Sequence, residues 1–169
     1  MHPLALFEHR KSDRINTLAE YRQQGGYTAL AEVLAADDPA TVIERLEEAQ
    51  LLGRGGAGFP LARKLMTVAA DAPHPRYMVC NADEMEPGTF KDRVLLHADP
   101  HLLVEGMAIV AHTVGASHGI VFIRPEYENA ARILEREIGL ARDAGFLGDR
   151  IQGSEFSFDI VVHRSAGRY

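Results

Sequence analysis

The chain has 169 residues, of which 46% are hydrophobic and 25% are charged, and its net charge is −6. This length suits one domain with or without a short leading segment, and the composition is that of an ordinary globular protein. The acidic balance and the lack of a basic stripe argue against nucleic acid as the main partner. The single cysteine, Cys80, excludes a disulfide framework or a four-cysteine metal site within the chain. The start lacks an apolar stretch long enough for a signal peptide, and no later run approaches membrane length, so a cytoplasmic protein without membrane insertion is predicted.

Residues 1–50 are predicted to form a helical segment that serves packing and docking. One amphipathic pattern breaks at Gly25-Gly26 and resumes directly after these glycines. A further helix is expected from Pro39, with Asp38 as its cap and Gly53 at its end. Proline is tolerated in the first turn of a helix, and glycine often ends one.

From residue 51 onward, strands and helices alternate. Helices are predicted from Pro60, over residues 100–112 and over residues 126–143, and strands over residues 77–80, 119–124 and 156–163. This alternation indicates an α/β protein with a layered sheet. Residues 51–169 are therefore interpreted as one α/β domain, and the glycine-containing turn at its end is typical of an interrupted unit.

A glycine-rich loop, Gly53-Arg54-Gly55-Gly56-Ala57-Gly58-Phe59, is the first candidate for a binding site. Glycines let the backbone approach a ligand closely and reach positive φ, so that successive N–H groups can point at an anion. The predicted helix start adds partial positive charge, and Arg54 and Lys64 bring full charges to either side. Phe59 adds a ring that can stack on a flat heterocycle. Taken alone, such a loop is equally consistent with a flexible turn.

The loop matches neither of the common phosphate-binding patterns. The pattern of nucleoside-triphosphate hydrolases ends in Gly-Lys-Ser/Thr, whereas this loop ends in Gly58-Phe59-Pro60 and places no hydroxyl for magnesium. The dinucleotide fingerprint requires a strand directly before the glycines and an acidic residue about twenty positions later. Here a predicted helix precedes the glycines, so the loop indicates neither class.

A polar turn, Asn81-Ala82-Asp83-Glu84-Met85-Glu86, is the second candidate, because it follows the first predicted strand. Ligands of open α/β sheets bind at the carboxyl ends of the strands. The Asn81 side chain offers a donor and an acceptor that suit a flavin ring edge or ribityl hydroxyls. A calcium loop is disfavoured because the helix–loop–helix spacing is absent, whereas a solvated acidic turn stays open as an alternative.

The two motifs together resemble the FMN- and NADH-binding flavoprotein subunit of bacterial respiratory complex I. The glycine loop followed by the run from Asn81 to Arg93 carries the resemblance, together with Pro100-His101-Leu102-Leu103-Val104-Glu105-Gly106-Met107 and the ending Ala166-Gly167-Arg168-Tyr169. The chain is similar, through the same motifs, to diaphorase subunits of NAD-reducing hydrogenases and to beta subunits of NAD-dependent formate dehydrogenases. The similarity covers nearly the whole chain and is weakest before about residue 15.

The resemblance implies a Rossmann-like layered sheet that binds FMN, with hydride transfer from NADH to FMN. The residues that it places around the FMN and NADH cleft are Gly53, Arg54, Gly55, Gly56, Ala57, Gly58, Asn81, Asp83 and Glu84. Phe59 would stack on the nucleotide, and Lys64 would meet the FMN phosphate. Glu86, the candidate catalytic residue, would lie near the nicotinamide, and Tyr169 would close the FMN pocket.

The resemblance also implies an assembly larger than this chain. In the family, electrons pass from FMN to a 4Fe-4S cluster and then to quinone. The ubiquitin-like domain and the helical domain with the cluster cysteines follow the tyrosine that aligns with Tyr169, so neither they nor the cluster ligands are expected here. The implied partners are other peripheral-arm subunits, especially a thioredoxin-like 2Fe-2S subunit, at the inner face of the cell membrane. We expect the isolated chain to be inactive; the alternative is a non-catalytic remnant or interaction fragment of the same fold.

Overall fold

Three helices precede the glycine loop in the computed structural model, which describes residues 14–68 and 71–167. They are α1 (Leu18–Gln23), α2 (Thr28–Ala36) and α3 (Pro39–Glu48). The Asp38 carboxylate accepts from the Ala40 N–H at the start of α3, where Pro39 occupies the first turn, as the sequence predicts. The helix ends at Glu48 and not at Gly53, so the glycine loop is reached through a short non-helical link.

Three parallel strands form one sheet whose spatial order follows the chain. They are β1 (Tyr77–Ala82), β2 (His118–Ile123) and β3 (Asp159–Arg164). Ala82 lies opposite Ile123, which in turn lies opposite Arg164, so the three carboxyl ends share one edge of the sheet. The predicted α/β class is confirmed, and a site at the strand ends has a common edge on which to form.

Four further α-helices follow the glycine loop among the described residues, and two of them pack on one face of the sheet. They are α4 (Leu61–Met66), α5 (Lys91–Ala98), α6 (Pro100–Val114) and α7 (Glu128–Asp143). The long helices α6 and α7 connect the strands and pack against the face that carries the buried residues Val121, Ile123 and Ile160. The opposite face carries Tyr77, Val79 and Val161, which are 57–59% exposed and are left uncovered by the described residues. Parallel sheets are normally buried on both faces, so this side is open to further structure.

The sequence pattern does not predict α5. Its eight residues begin after Phe90, which provides no side-chain cap, and they end at Ala98, so that Asp99 alone separates them from Pro100 at the start of α6. A helix of this length is too short for a clear period of apolar residues. No single helix in the described ranges is long and apolar enough to cross a membrane; α5 and α6 pass that test only as a pair, with a 98° bend between them.

A buried carboxylate fastens the first helices to α6. The side chain of Glu105 accepts hydrogen bonds from the backbone N–H groups of Tyr27 (2.9 Å) and Leu30 (3.1 Å) and from the Tyr21 hydroxyl (2.5 Å). Both amides belong to the start of α2, which has no cap from its own side chains. Because each donor would otherwise be buried without a partner, Glu105 holds α1 and α2 in place. Helix α3 and the glycine loop follow directly along the chain.

Candidate functional site

The glycine loop and the polar turn after β1 line one cleft of about 400 Å³. Arg54, Gly55 and Gly56 form one wall, and Asn81, Asp83, Glu84 and Glu86 contribute to the opposite wall. The cleft lies where β1 ends, at the shared carboxyl edge of the sheet. Two motifs that are far apart along the chain are thus brought together in space.

The glycine loop is closed at its base by backbone hydrogen bonds. The Gly53 N–H donates to the Phe59 carbonyl oxygen at 2.8 Å, and the Leu61 N–H donates to the Leu51 carbonyl oxygen at 2.9 Å. Gly56 has φ +102°, which residues with a Cβ rarely adopt. The sharp loop therefore presents its backbone to the cleft. Arg54 has no ion-pair or hydrogen-bond partner among residues 14–68 and 71–167, so its charge is available to a ligand.

The remaining predicted loop residues do not line this cleft. Gly53 and Gly58 border a second cavity of about 460 Å³ on the flank of the loop, together with Arg54 and Gly56. The described cleft wall does not include Ala57, Phe59 or Lys64, and the Phe59 ring is 52% exposed. Their proposed contacts stay predictions. Tyr169 lies outside the described residues.

The end of β3 is tied to the end of β1 beside the cleft. The Ser165 N–H donates to the Ile123 carbonyl oxygen at 2.7 Å, and the Ser165 hydroxyl donates to Asp83 Oδ1 at 3.1 Å. Asn81 Oδ1 accepts from the Asp83 N–H at 3.0 Å. A neighbouring cavity of about 570 Å³ is bordered by Asn81, Asp83, Phe122 and Ser165. Asn81 and Asp83 therefore border both the cleft and the neighbouring cavity. Ser165 and Phe122 border that cavity too, and the sequence did not predict them as site residues.

Glu84 has its carboxylate directed into the protein, where the side chain is 2% exposed. Oε1 accepts from the Asp92 N–H at 3.0 Å, and Oε2 accepts from the Arg93 N–H at 3.3 Å and from the Tyr127 hydroxyl at 3.0 Å. Burial alone raises the pKa of Glu84, but these donors and Lys91 outweigh it and hold the pKa below the usual range. The carboxylate is thus charged, and its hydrogen bonds are made to donors of the protein. Its contact with a cofactor stays a prediction.

Glu86 and Lys91 give the cleft both signs of charge. Glu86 is exposed, and its carbonyl oxygen closes the turn by accepting from the Thr89 N–H at 3.1 Å. The Lys91 ammonium lies 2.7 Å from Asp92 and 3.6 Å from Glu84. Within the described ranges, no group of three or more His, Cys, Asp or Glu side chains is placed to hold a metal ion.

The fold and the cleft define an α/β protein whose candidate ligand site lies at the carboxyl edge of a parallel sheet, beside the glycine loop and Arg54. Residues 46–169 match the family described as the Nuo51 FMN-binding domain. The chain belongs to this family.

Individual relatives support the same assignment. The chain is 47% identical over 152 residues to an NADH-quinone oxidoreductase subunit of Rhizobium meliloti (strain 1021), covering 90% of this chain and 36% of that protein. It is 46% identical over 153 residues to an NADH-quinone oxidoreductase subunit of Escherichia coli (strain K12), covering 90% of this chain and 34% of that protein. A solved NAD⁺-reducing [NiFe]-hydrogenase in the H2-reduced state superposes with a TM-score of 0.70 at 35% identity, covering 94% of this chain and 26% of that chain. The chain therefore spans about a third of the length of the curated relatives it matches.

Proposed function

We propose that this chain is the FMN- and NADH-binding module of a multi-subunit NADH dehydrogenase. The observation that carries the proposal is the single cleft formed by the glycine loop and the polar turn after β1. Membership of the Nuo51 FMN-binding domain family supports FMN as the ligand, and the names of the relatives support NADH oxidation.

The residues of the cleft fit the chemistry of FMN. A phosphate requires positive charge and N–H donors, which Arg54 and the exposed backbone of the glycine loop supply. A ribityl chain and a flavin ring edge require mixed donors and acceptors, which Asn81 and Asp83 supply at the junction of the two spaces. Each space is within the size range of small-molecule sites. Phe59, Lys64 and Tyr169 complete the pocket in this proposal.

Bound FMN supplies the redox chemistry, because its ring accepts a hydride from NADH. The protein residues bind and orient the two molecules. Glu86 lies on the exposed side of the cleft, in reach of a second ligand that enters from solvent, and we assign it to the nicotinamide end of NADH. In the complete assembly, iron–sulfur clusters, including a 4Fe-4S cluster, would carry the electrons onward toward quinone.

We also propose that the module works within a larger complex. The matched relatives are named as subunits of NADH-quinone oxidoreductases, and each is much longer than this chain. The partners proposed are other subunits of the peripheral arm, especially a thioredoxin-like 2Fe-2S subunit, at the inner face of the cell membrane. The open face of the sheet, with Val79 and Val161 exposed, offers apolar surface for further structure.

A titration of FMN fluorescence with the purified chain tests this proposal. FMN fluorescence should be quenched on binding, and Arg54→Ala should raise the dissociation constant by about tenfold or more, because a charge-assisted contact to phosphate is lost. Arg132→Ala is the matched control, since Arg132 is an exposed arginine on α7 outside the cleft. Because the isolated chain is expected to be inactive, Glu86 is tested by binding: Glu86→Gln should change the dissociation constant of the FMN-loaded chain for NADH, whereas Arg132→Ala should not. The proposal is wrong if the unaltered chain leaves FMN fluorescence unchanged at millimolar protein.

A further inference from the structure

The turn that carries Asp83 and Glu86 into the cleft is anchored to the protein interior by Glu84, the residue that follows Asp83. Glu84 is buried, whereas Glu86 is exposed and Asp83 is half-buried. The three donors to the Glu84 carboxylate come from the start of α5 and from Tyr127. Helix α5 has no cap from its own side chains, so Glu84 replaces that cap and joins the helix to the turn.

A second connection runs from the end of β2 to the same residue. Arg124, the first residue after β2, donates from Nη1 to the Glu84 carbonyl oxygen at 2.6 Å. Its guanidinium lies 5.1 Å from the centre of the Tyr127 ring, which is 8% exposed. Burial and the neighbouring Glu84 carboxylate both raise the pKa of Tyr127, so the hydroxyl stays protonated and donates. Glu84 is therefore held through its carbonyl oxygen and its carboxylate by two residues that follow the central strand.

We propose that Glu84 is a positioning residue for the cleft, held by Tyr127 and Arg124, and that it sets where Asp83 and Glu86 stand relative to the glycine loop. This inference rests on the proposed function, because it concerns the cleft that binds FMN. The turn has no side-chain hydrogen bonds to the glycine loop among the described residues, so its position depends on these contacts and on the bond from Ser165 to Asp83. Small displacements of a binding group lower affinity even where the fold is retained.

Removing one hydroxyl group in each of two places separates positioning from stability. Tyr127→Phe removes the 3.0 Å hydrogen bond to Glu84, and Tyr21→Phe removes the 2.5 Å hydrogen bond to Glu105. Both changes take one donor from a buried carboxylate and leave the ring in place, so both variants should fold and both should have a lower urea midpoint. Tyr127→Phe should weaken FMN binding by about threefold to tenfold, whereas Tyr21→Phe should stay within about twofold of the unaltered chain.

Hydrogen–deuterium exchange of the ligand-free chain provides a readout that does not depend on binding. Exchange of the amides from residue 83 to residue 93 should be faster in Tyr127→Phe and unchanged in Tyr21→Phe. Glu84→Gln keeps the size of the side chain but loses its charge, and should give the same pattern as Tyr127→Phe.

The outcomes separate this inference from the proposed function. If the unaltered chain binds FMN and Tyr127→Phe binds it equally well, the positioning role is wrong while the proposed function stands. If both tyrosine variants weaken FMN binding to the same extent, the effect is one of general stability, and the positioning role is again overturned. If the unaltered chain binds no FMN, both proposals fall.

Discussion

Two buried glutamates, Glu105 in the core and Glu84 beside the cleft, are held by the same kind of contacts. Each carboxylate accepts from two backbone N–H groups at the start of a helix and from one tyrosine hydroxyl. Glu105 thereby fixes α2 on α6, and Glu84 fixes α5 on the turn after β1. The same arrangement thus stabilises the fold at Glu105 and, in our proposal, positions the cleft residues at Glu84.

The surroundings of the two carboxylates differ. Glu105 is bonded to Tyr21 and Tyr27, whose rings pack against each other and against His101. Glu84 has the Lys91 ammonium 3.6 Å away, and its neighbours in the chain line the cleft. Loss of Glu105 should therefore lower mainly the free energy of unfolding, and loss of the contacts to Glu84 should lower mainly the affinity for FMN.

The largest expected effect is that of Glu105→Ala. The substitution leaves two backbone N–H groups and the Tyr21 hydroxyl without an acceptor in a buried place. We expect the free energy of unfolding to fall by about 3–5 kcal/mol, because each of the three donors that is left buried without a partner costs about 1–3 kcal/mol before the site relaxes. Urea denaturation followed by circular dichroism measures this loss. A loss below about 1 kcal/mol would show that Glu105 does not hold the first helices, and the contrast with Glu84 would disappear.

A second prediction uses pH to separate the two regions. His101 is fully buried, with Nδ1 2.9 Å from the Tyr27 hydroxyl and Nε2 2.9 Å from Glu137. Because the Glu137 carboxylate can only accept, Nε2 carries the proton and Nδ1 accepts from Tyr27, which is the arrangement of a neutral imidazole. Burial lowers the pKa of His101, although Glu137 and Asp99 act in the opposite direction.

The unfolded chain therefore takes up a proton below pH 6.5, about the ordinary value for histidine, that the folded chain does not. The free energy of unfolding should fall between pH 6.5 and the lower folded pKa of His101, by at most about 1.4 kcal/mol per pH unit. Glu84, whose pKa is lowered, should add its own loss only at more acidic pH, below the ordinary range of a carboxyl group. Urea midpoints at about pH 7.5 and about pH 5.5, on either side of that ordinary histidine value, test this. The difference between the two midpoints should be reduced more by His101→Gln than by His97→Gln. His97 serves as the control because burial and Arg93 lower its pKa as well. The prediction is contradicted if the two variants reduce the difference equally.

The elements that the sequence predicts well are those with a local pattern. The apolar runs around Val79, Val121 and Val161 predict the three strands, and the glycine loop and the acidic turn are visible as motifs. Helix α5 is missed because it is short and its cap comes from Glu84, which a local capping rule does not consider. The cap of α2 is even more distant, since Glu105 follows Tyr27 by 78 positions.

The supporting residues of the cleft are missed for a related reason. Arg124, Tyr127 and Ser165 acquire their roles only because the parallel register places the ends of β2 and β3 beside the end of β1. Nothing in the residues next to them indicates which carboxylate they will contact. The sequence thus predicts which motifs form the site, and the three-dimensional register decides which residues hold them.

The smallest expected effect concerns Glu128, a glutamate whose two partners are both charged but whose side chain is exposed. Glu128, at the start of α7, accepts from Arg132 at 2.9 Å and from Arg164 at 2.9 Å, and both guanidinium groups lower its pKa. Glu128→Gln should nevertheless leave the urea midpoint and FMN affinity within experimental error, because water and salt screen exposed ion pairs and would solvate the partners after the change. The same denaturation and fluorescence measurements apply. A midpoint shift as large as that of Tyr21→Phe would mean that burial does not set the difference in stability between the contacts of Glu128 and those of Glu105.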